Sequence, residues 1–124
     1  IKSKIINILK TIEPSYVFVH WKHDVHHDHR IISNLVLGLS KNVKNVLLYR
    51  SNFFKSNKEF GGNFYVNISK EFSKKIEAIK KFRGELKRVN NSWIKFVENE
   101  NKFNGFQVGV KYAERFEVVR FSVI

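Results

Sequence analysis

Tyr16-Val17-Phe18-Val19-His20 is a short apolar run with the pattern of a buried strand. A polar stretch follows it, and an amphipathic segment then runs from Arg30 to near Lys41, with apolar residues at helical spacing. Val46-Leu47-Leu48-Tyr49 is a second apolar run of the same kind. A strand, a helix and a strand in this order predict two parallel strands joined by a crossover helix. We therefore expect an α/β fold with a mostly parallel sheet.

The flanking sequence continues this alternation. An N-terminal helix is predicted by isoleucines at helical spacing and by Pro14, which follows them. Residues 64–68 predict a third strand, and Ser69 is a good N-cap for a long helix that carries an apolar stripe as far as Leu86. This helix is expected to resume after Asn90-Asn91, and residues 116–121 predict a last strand. With no repeat or linker in view, residues 1–124 are expected to form one domain or part of one.

The amino-acid composition limits the kinds of functional site and the cellular locations that we expect for this chain. The chain has no cysteine, so any metal must be held by histidine and carboxylate. No apolar run approaches the roughly 18 residues that a transmembrane helix needs, and no signal peptide is evident. A cytoplasmic location without a membrane span is the expectation. The chain opens on Ile1 and contains no methionine, which indicates a fragment of a longer protein.

The formal charge of +12 makes nucleic acid a candidate partner. Many of the lysines lie along predicted helix faces, interleaved with acids, as at Lys70, Glu71, Lys74 and Glu77. No arginine-rich cluster with interleaved aromatic residues is present. A dispersed, solvated charge is therefore the preferred interpretation, and a basic nucleic-acid-binding module remains the alternative.

All five histidines lie within ten residues, between His20 and His29. This cluster follows the first predicted strand, and ligands of open α/β sheets bind at the carboxyl ends of the strands. If a helix begins near His26, then His26 and His29 share one face of it. Asp28 could bind a metal or accept a hydrogen bond from an imidazole. The alternative is a solvated loop in which Asp24 or Asp28 only caps the helix.

The stretch from Pro14 to Arg30, with its Asp24-Val25-His26-His27-Asp28-His29-Arg30 segment, resembles the second signature of the PIG-L/LmbE family of N-acetylglucosaminyl deacetylases. The resemblance extends downstream through Tyr49-Arg50-Ser51 and the strand at residues 63–68. It implies a Rossmann-like three-layer fold and a zinc-dependent amidase that removes an acetyl group from an N-acetylglucosamine-type conjugate. His29 matches the third metal ligand, and His26 matches the histidine that stabilises the oxyanion and serves as general acid. Asp28 matches a supporting carboxylate.

The sequence also departs from the family pattern. His27 stands where proline is commonest, Asn67 where aspartate is usual, and Arg83-Gly84-Glu85 where a Ser-Gln or Ser-Glu pair is common. The family's His-Pro-Asp-Asp-Glu run, which supplies the general base and two further ligands, is absent from this chain. The resemblance therefore implies the C-terminal part of such a domain, inactive without its N-terminal half. A non-catalytic family member is a further alternative, and homo-oligomerisation is left open.

Overall fold

The computed structural model describes all 124 residues. Five helices and four strands follow one another along the chain. Their bounds are α1 Lys2–Ile12, β1 Tyr16–His20, α2 His27–Leu39, β2 Asn45–Tyr49, β3 Phe64–Asn67, α3 Phe72–Lys80, α4 Arg83–Arg88, α5 Ser92–Val108 and β4 Ala113–Arg120. The predicted α/β class is confirmed. No helix combines the length and the apolar character needed to cross a membrane.

The four strands form one sheet in the order β1-β2-β4-β3. β1 and β2 are parallel, as expected, with Tyr16 opposite Asn45 and His20 opposite Tyr49. The prediction of a mostly parallel sheet is wrong, because β4 runs antiparallel to β2 and the sheet is mostly antiparallel. The strand pattern of residues 116–121 showed that a strand would form. It carried no information on which neighbour that strand would join.

The chain divides into two compact units, one of residues 1–64 with 116–124 and one of residues 65–115. In the first unit α1 ends at Ile12, and its C-cap Glu13 has a left-handed backbone (φ 48°) directly before Pro14. A small core forms around Trp21 and Leu48, both nearly inaccessible, together with Val19 and Phe60. Val36 and Leu37 of α2 pack on this core, which fixes α2 against β1.

The second unit has its own core, in which Phe72, Ile79, Leu86 and Val97 are buried. The long helix predicted through Leu86 is broken: α3 ends at Lys80 and α4 begins at Arg83. The amides of Lys81 and Phe82 bond to carbonyls three residues back, which tightens the last turn of α3. α3 also begins at Phe72, three residues after Ser69, and its N-cap is Glu71. The predicted break at Asn90-Asn91 is present, and both residues are left-handed.

Candidate functional site

The histidine cluster lies where β1 ends and α2 begins, within the first unit. His20 is the last residue of β1, His26 is the N-cap of α2, and His29 lies in the first turn of α2. The ring of His29 stacks on His20 at a centroid distance of 3.7 Å and on His26 at 4.4 Å. The two predicted site histidines are thus neighbours, and His20 joins them as a third imidazole.

Asp24 is the buried acid of this site, with only 2% of its surface exposed. Its Oδ1 accepts a hydrogen bond from the backbone amide of His26 at 2.8 Å. The side-chain amide of Asn52 donates to both carboxylate oxygens, at 2.8 and 3.0 Å. Asp24 Oδ1 also faces His29 Nδ1 at 3.4 Å. One carboxylate therefore connects β1, the start of α2 and the loop after β2.

These contacts keep Asp24 ionised. Burial alone would raise the pKa of its carboxyl group. The hydrogen bonds from the His26 amide and from Asn52, together with the neighbouring His29, outweigh burial and leave the pKa below its ordinary value. The site thus holds a fixed negative charge beneath the imidazoles.

His26 caps α2. Its backbone is extended, and its ring Nδ1 accepts a hydrogen bond from the amide of Asp28 at 3.2 Å. A ring nitrogen here takes the place of the side-chain oxygen that usually caps a helix. The helix therefore begins at His27, three residues before the amphipathic stretch recognised in the sequence.

Asp28 lies in the first turn of α2 with its side chain exposed. Its contact with His26 is made by its backbone amide. The carboxylate that faces His29 belongs to Asp24, a residue that the sequence offered as no more than a helix cap. The orienting position expected for Asp28 is thus held by Asp24.

His29 presents two different ring nitrogens. Nδ1 is buried, forms no hydrogen bond of good geometry, and faces the Asp24 carboxylate at a distance longer than a typical N–H···O bond. About a quarter of the side chain (24%) is exposed. Nε2 is consequently the ring nitrogen left for a ligand.

His20 remains neutral beside these groups. Burial lowers the pKa of its ring, and the nearby His29 lowers it further, against a smaller opposing effect of Asp24. Its Nδ1 lies 3.4 Å from Ser51 Oγ, and its ring also contacts Tyr49 on the paired strand. A neutral ring suits its close stacking on His29, because two imidazolium ions at that distance would repel each other.

Backbone contacts fix the loop that carries Asp24. Arg30 Nη1 donates to the carbonyls of Asp24 and Val25, at 2.8 and 2.7 Å. Ser56 Oγ donates to the carbonyl of His23 at 2.6 Å. Arg30 therefore holds the loop to α2, which gives it a structural task in this chain.

No protein-family model matches the chain. Several solved structures share its fold, and two of them are compared with it. One is the conserved protein TT1542 from Thermus thermophilus, with a TM-score of 0.80 at 23% identity. The other is GalB, the 4-carboxy-2-hydroxymuconate hydratase from Pseudomonas putida, with a TM-score of 0.73 at 16% identity. Each comparison covers 99% of this chain and 59% of the solved one, so the chain spans about three-fifths of their length. At these identities the likeness concerns the fold.

Asn52 and Asp24 are the site residues that sequence reasoning missed. Asn52 follows β2 just as the histidines follow β1, and parallel strands bring their carboxyl ends to one edge of the sheet. That rule could have selected Asn52 within the polar loop. Asp24 stands two residues before His26, which is the spacing of a side chain that accepts from a helix-start amide.

The described side chains include no group of three or more histidines and acids arranged to hold a metal ion. A groove of about 570 Å³ lies at the opposite end of β1, lined by residues that include Leu9, Lys10, Pro14 and Lys44. It contains none of the predicted site residues.

Proposed function

We propose that this chain is the C-terminal part of a PIG-L/LmbE-like hydrolase that removes the acetyl group from an N-acetylated sugar conjugate. The observation that carries the proposal is the pairing of His26 and His29 on one helix start, with Asp24 behind His29. The His-x-Asp-His-Arg resemblance supports it. The fold by itself does not, because one fold hosts many reactions and a hydratase shares this one.

His29 fits a metal ligand. A histidine that binds a metal commonly directs its other ring nitrogen at a carboxylate, and His29 Nδ1 faces Asp24 in that way. Zinc, when bound, would lower the pKa of a water molecule and polarise the acetyl carbonyl. The task of this chain is to hold the His29 ring in place and to keep its Nε2 unprotonated.

His26 fits the oxyanion and general-acid position. Its Nδ1 accepts the Asp28 amide, so the proton of the neutral ring belongs on Nε2. An Nε2–H can donate to the oxygen that gains charge as the acetyl carbonyl is attacked, a contribution of roughly 3 kcal/mol for one good donor. To give a proton to the departing amine, His26 would have to take up a proton on Nδ1 and release the Asp28 amide.

The proposal assigns the general base and two further ligands to a segment outside these 124 residues, as the family resemblance implies. The chain alone should bind zinc weakly and be inactive, because one imidazole does not replace a set of three ligands. Two alternatives remain: a non-catalytic family member, and a basic nucleic-acid-binding module.

The test compares His29→Ala and His26→Ala in the full-length protein that contains this chain. His29→Ala should lose bound zinc and activity together. His26→Ala should keep its zinc and lose chiefly kcat, by about 100-fold or more. Metal content is measured by mass spectrometry, and activity as amine release from N-acetylglucosamine conjugates.

His23→Ala is a matched control, since this histidine lies in the same loop and its ring is outside the stack of His20, His29 and His26. It should retain zinc and most of its turnover. Full zinc and full turnover in His29→Ala would show that the metal assignment is wrong. A wild-type protein that binds zinc but releases no amine from any acetylated sugar would favour the non-catalytic alternative.

A further inference from the structure

Asn52 has a fixed orientation in the structure. Its Oδ1 accepts a hydrogen bond from the backbone amide of Phe54 at 3.1 Å. A backbone amide can only donate, so this contact determines which end of the Asn52 side chain is oxygen. The NH₂ end is thereby directed at Asp24, where it reaches both carboxylate oxygens.

Asp24 in turn receives donors from two directions. The His26 amide and the Asn52 NH₂ group both donate to it, so the carboxylate acts there purely as an acceptor. His29 Nδ1 faces the same Oδ1. A proton on Nδ1 is attracted to that oxygen, whereas a lone pair on Nδ1 would be repelled. The neutral His29 ring is therefore held with its proton on Nδ1 and its lone pair on Nε2.

The second histidine has the opposite tautomer. The Asp28 amide donates to His26 Nδ1, which places the lone pair on Nδ1 and the proton on Nε2. The stacked rings of His29 and His26 therefore differ at Nε2. His29 presents a lone pair there, and His26 presents an N–H donor. Two backbone amides set this difference. The Phe54 amide orients Asn52, and the Asp28 amide donates to His26 Nδ1.

We propose that Asn52 is a positioning residue of this site, which acts through Asp24 to fix His29 as the Nδ1–H tautomer and so makes Nε2 the ligand atom. The role in metal binding rests on the proposed function. The tautomer itself does not, because it is set by contacts within this chain. A failure of the deacetylase proposal would therefore leave the tautomer prediction standing.

The test reads the histidine tautomers by nitrogen NMR of the ¹⁵N-labelled 124-residue chain, without metal, at a pH where the imidazoles are neutral. His29 should show the Nδ1–H form and His26 the Nε2–H form. Asn52→Ala removes the donor that holds both carboxylate oxygens in place, so Asp24 should turn away from His29. The ratio of Nδ1–H to Nε2–H at His29 should then fall about tenfold, which corresponds to about 1.4 kcal/mol. The His26 tautomer should be unchanged, because its Nδ1 partner is the Asp28 amide.

Asn34→Ala is the matched control, an exposed asparagine on the same helix as His29. It should leave both tautomers as they are. Asn52→Gln, which keeps the amide, should restore part of the ratio at His29. An Nε2–H form of His29 in the wild-type chain would overturn the proposal even if the Asn52 variants failed to fold. An unchanged ratio in a folded Asn52→Ala would overturn it as well.

Discussion

Asp24 carries a negative charge in a place that water hardly reaches. Buried carboxylates are normally costly, and this one is retained because two donors bond to it, the His26 amide and the Asn52 NH₂ group, while the His29 ring faces it. Its backbone carbonyl is used as well, by Arg30. A residue with this many partners organises its surroundings, and its removal should affect the whole helix start.

Asp24→Asn should lower the free energy of unfolding at neutral pH by about 1–3 kcal/mol, because it places one amide NH₂ group against another. The pKa of Asp24 is lower in the folded chain than its ordinary value of 3.8. Folding therefore favours the ionised form, and this stability is complete above the unfolded-state pKa. It is lost as the pH falls below about 3.8 towards the lower folded-state pKa.

Urea unfolding from about pH 6 to about pH 3 would measure this contribution. The wild-type chain should lose stability over the acid end of the range, and Asp24→Asn should lose less there. Asp28→Asn is the control, since its side chain is exposed on the same turn. An equal loss of stability towards low pH in the wild type and in Asp24→Asn would contradict the assignment of a buried, ionised Asp24.

Helix α5 contains a close approach that only glycine allows. A Cβ on Gly105 would lie 2.6 Å from the carbonyl oxygen of Val110 and 2.7 Å from that of Lys111. Both atoms belong to the backbone, which cannot move aside as a side chain can. Gly105 therefore lets the chain turn back over the end of α5 before β4 begins.

Gly105→Ala should destabilise the chain by more than about 2 kcal/mol, although alanine is the better helix former. Gly38→Ala in α2 is the matched control, because a Cβ there meets nothing within 4 Å. That change should stabilise the chain by up to about 1 kcal/mol. Thermal unfolding of both variants would decide the matter, and a neutral or stabilising Gly105→Ala would rule out the close approach.

The formal net charge of the whole chain is +12. The ion pairs of Lys55 with Glu59 and of Lys75 with Glu114 neutralise little of it, because acids are outnumbered about two to one. We expect lysines dispersed over helix faces to give a weak attraction to polyanions that does not depend on base sequence.

We expect the chain to bind duplexes of different sequence equally, with a Kd in about the 1–100 μM range at physiological salt. The affinity should fall steeply as salt is added. Fluorescence anisotropy with two unrelated duplexes at two salt concentrations would measure both effects. Submicromolar binding that discriminates between the duplexes would favour the nucleic-acid-binding alternative over the deacetylase proposal.

Local sequence was sufficient for most of the helices and strands and for one part of the candidate site. Apolar runs predicted β1 and β2, helical spacing predicted α1 and α2, and the cluster of five histidines indicated the candidate site. These features depend on neighbours within a few residues, because burial and backbone hydrogen bonding select strand and helix patterns locally. The break between α3 and α4 escaped this reasoning, because the apolar stripe continues across it.

Tertiary structure decided what lies far apart in the chain. The antiparallel place of β4 beside β2 depends on pairing between residues such as Val46 and Arg120, which no local pattern encodes. Asn52 reaches Asp24 across 28 positions only because β1 and β2 end at the same edge of the sheet. The sequence indicated that His26 and His29 would be neighbours, because they stand three residues apart at a helix start, one as the N-cap and one in the first turn. The fold decided which carboxylate faces His29, because it buries Asp24 beside the His29 ring and leaves Asp28 exposed to solvent.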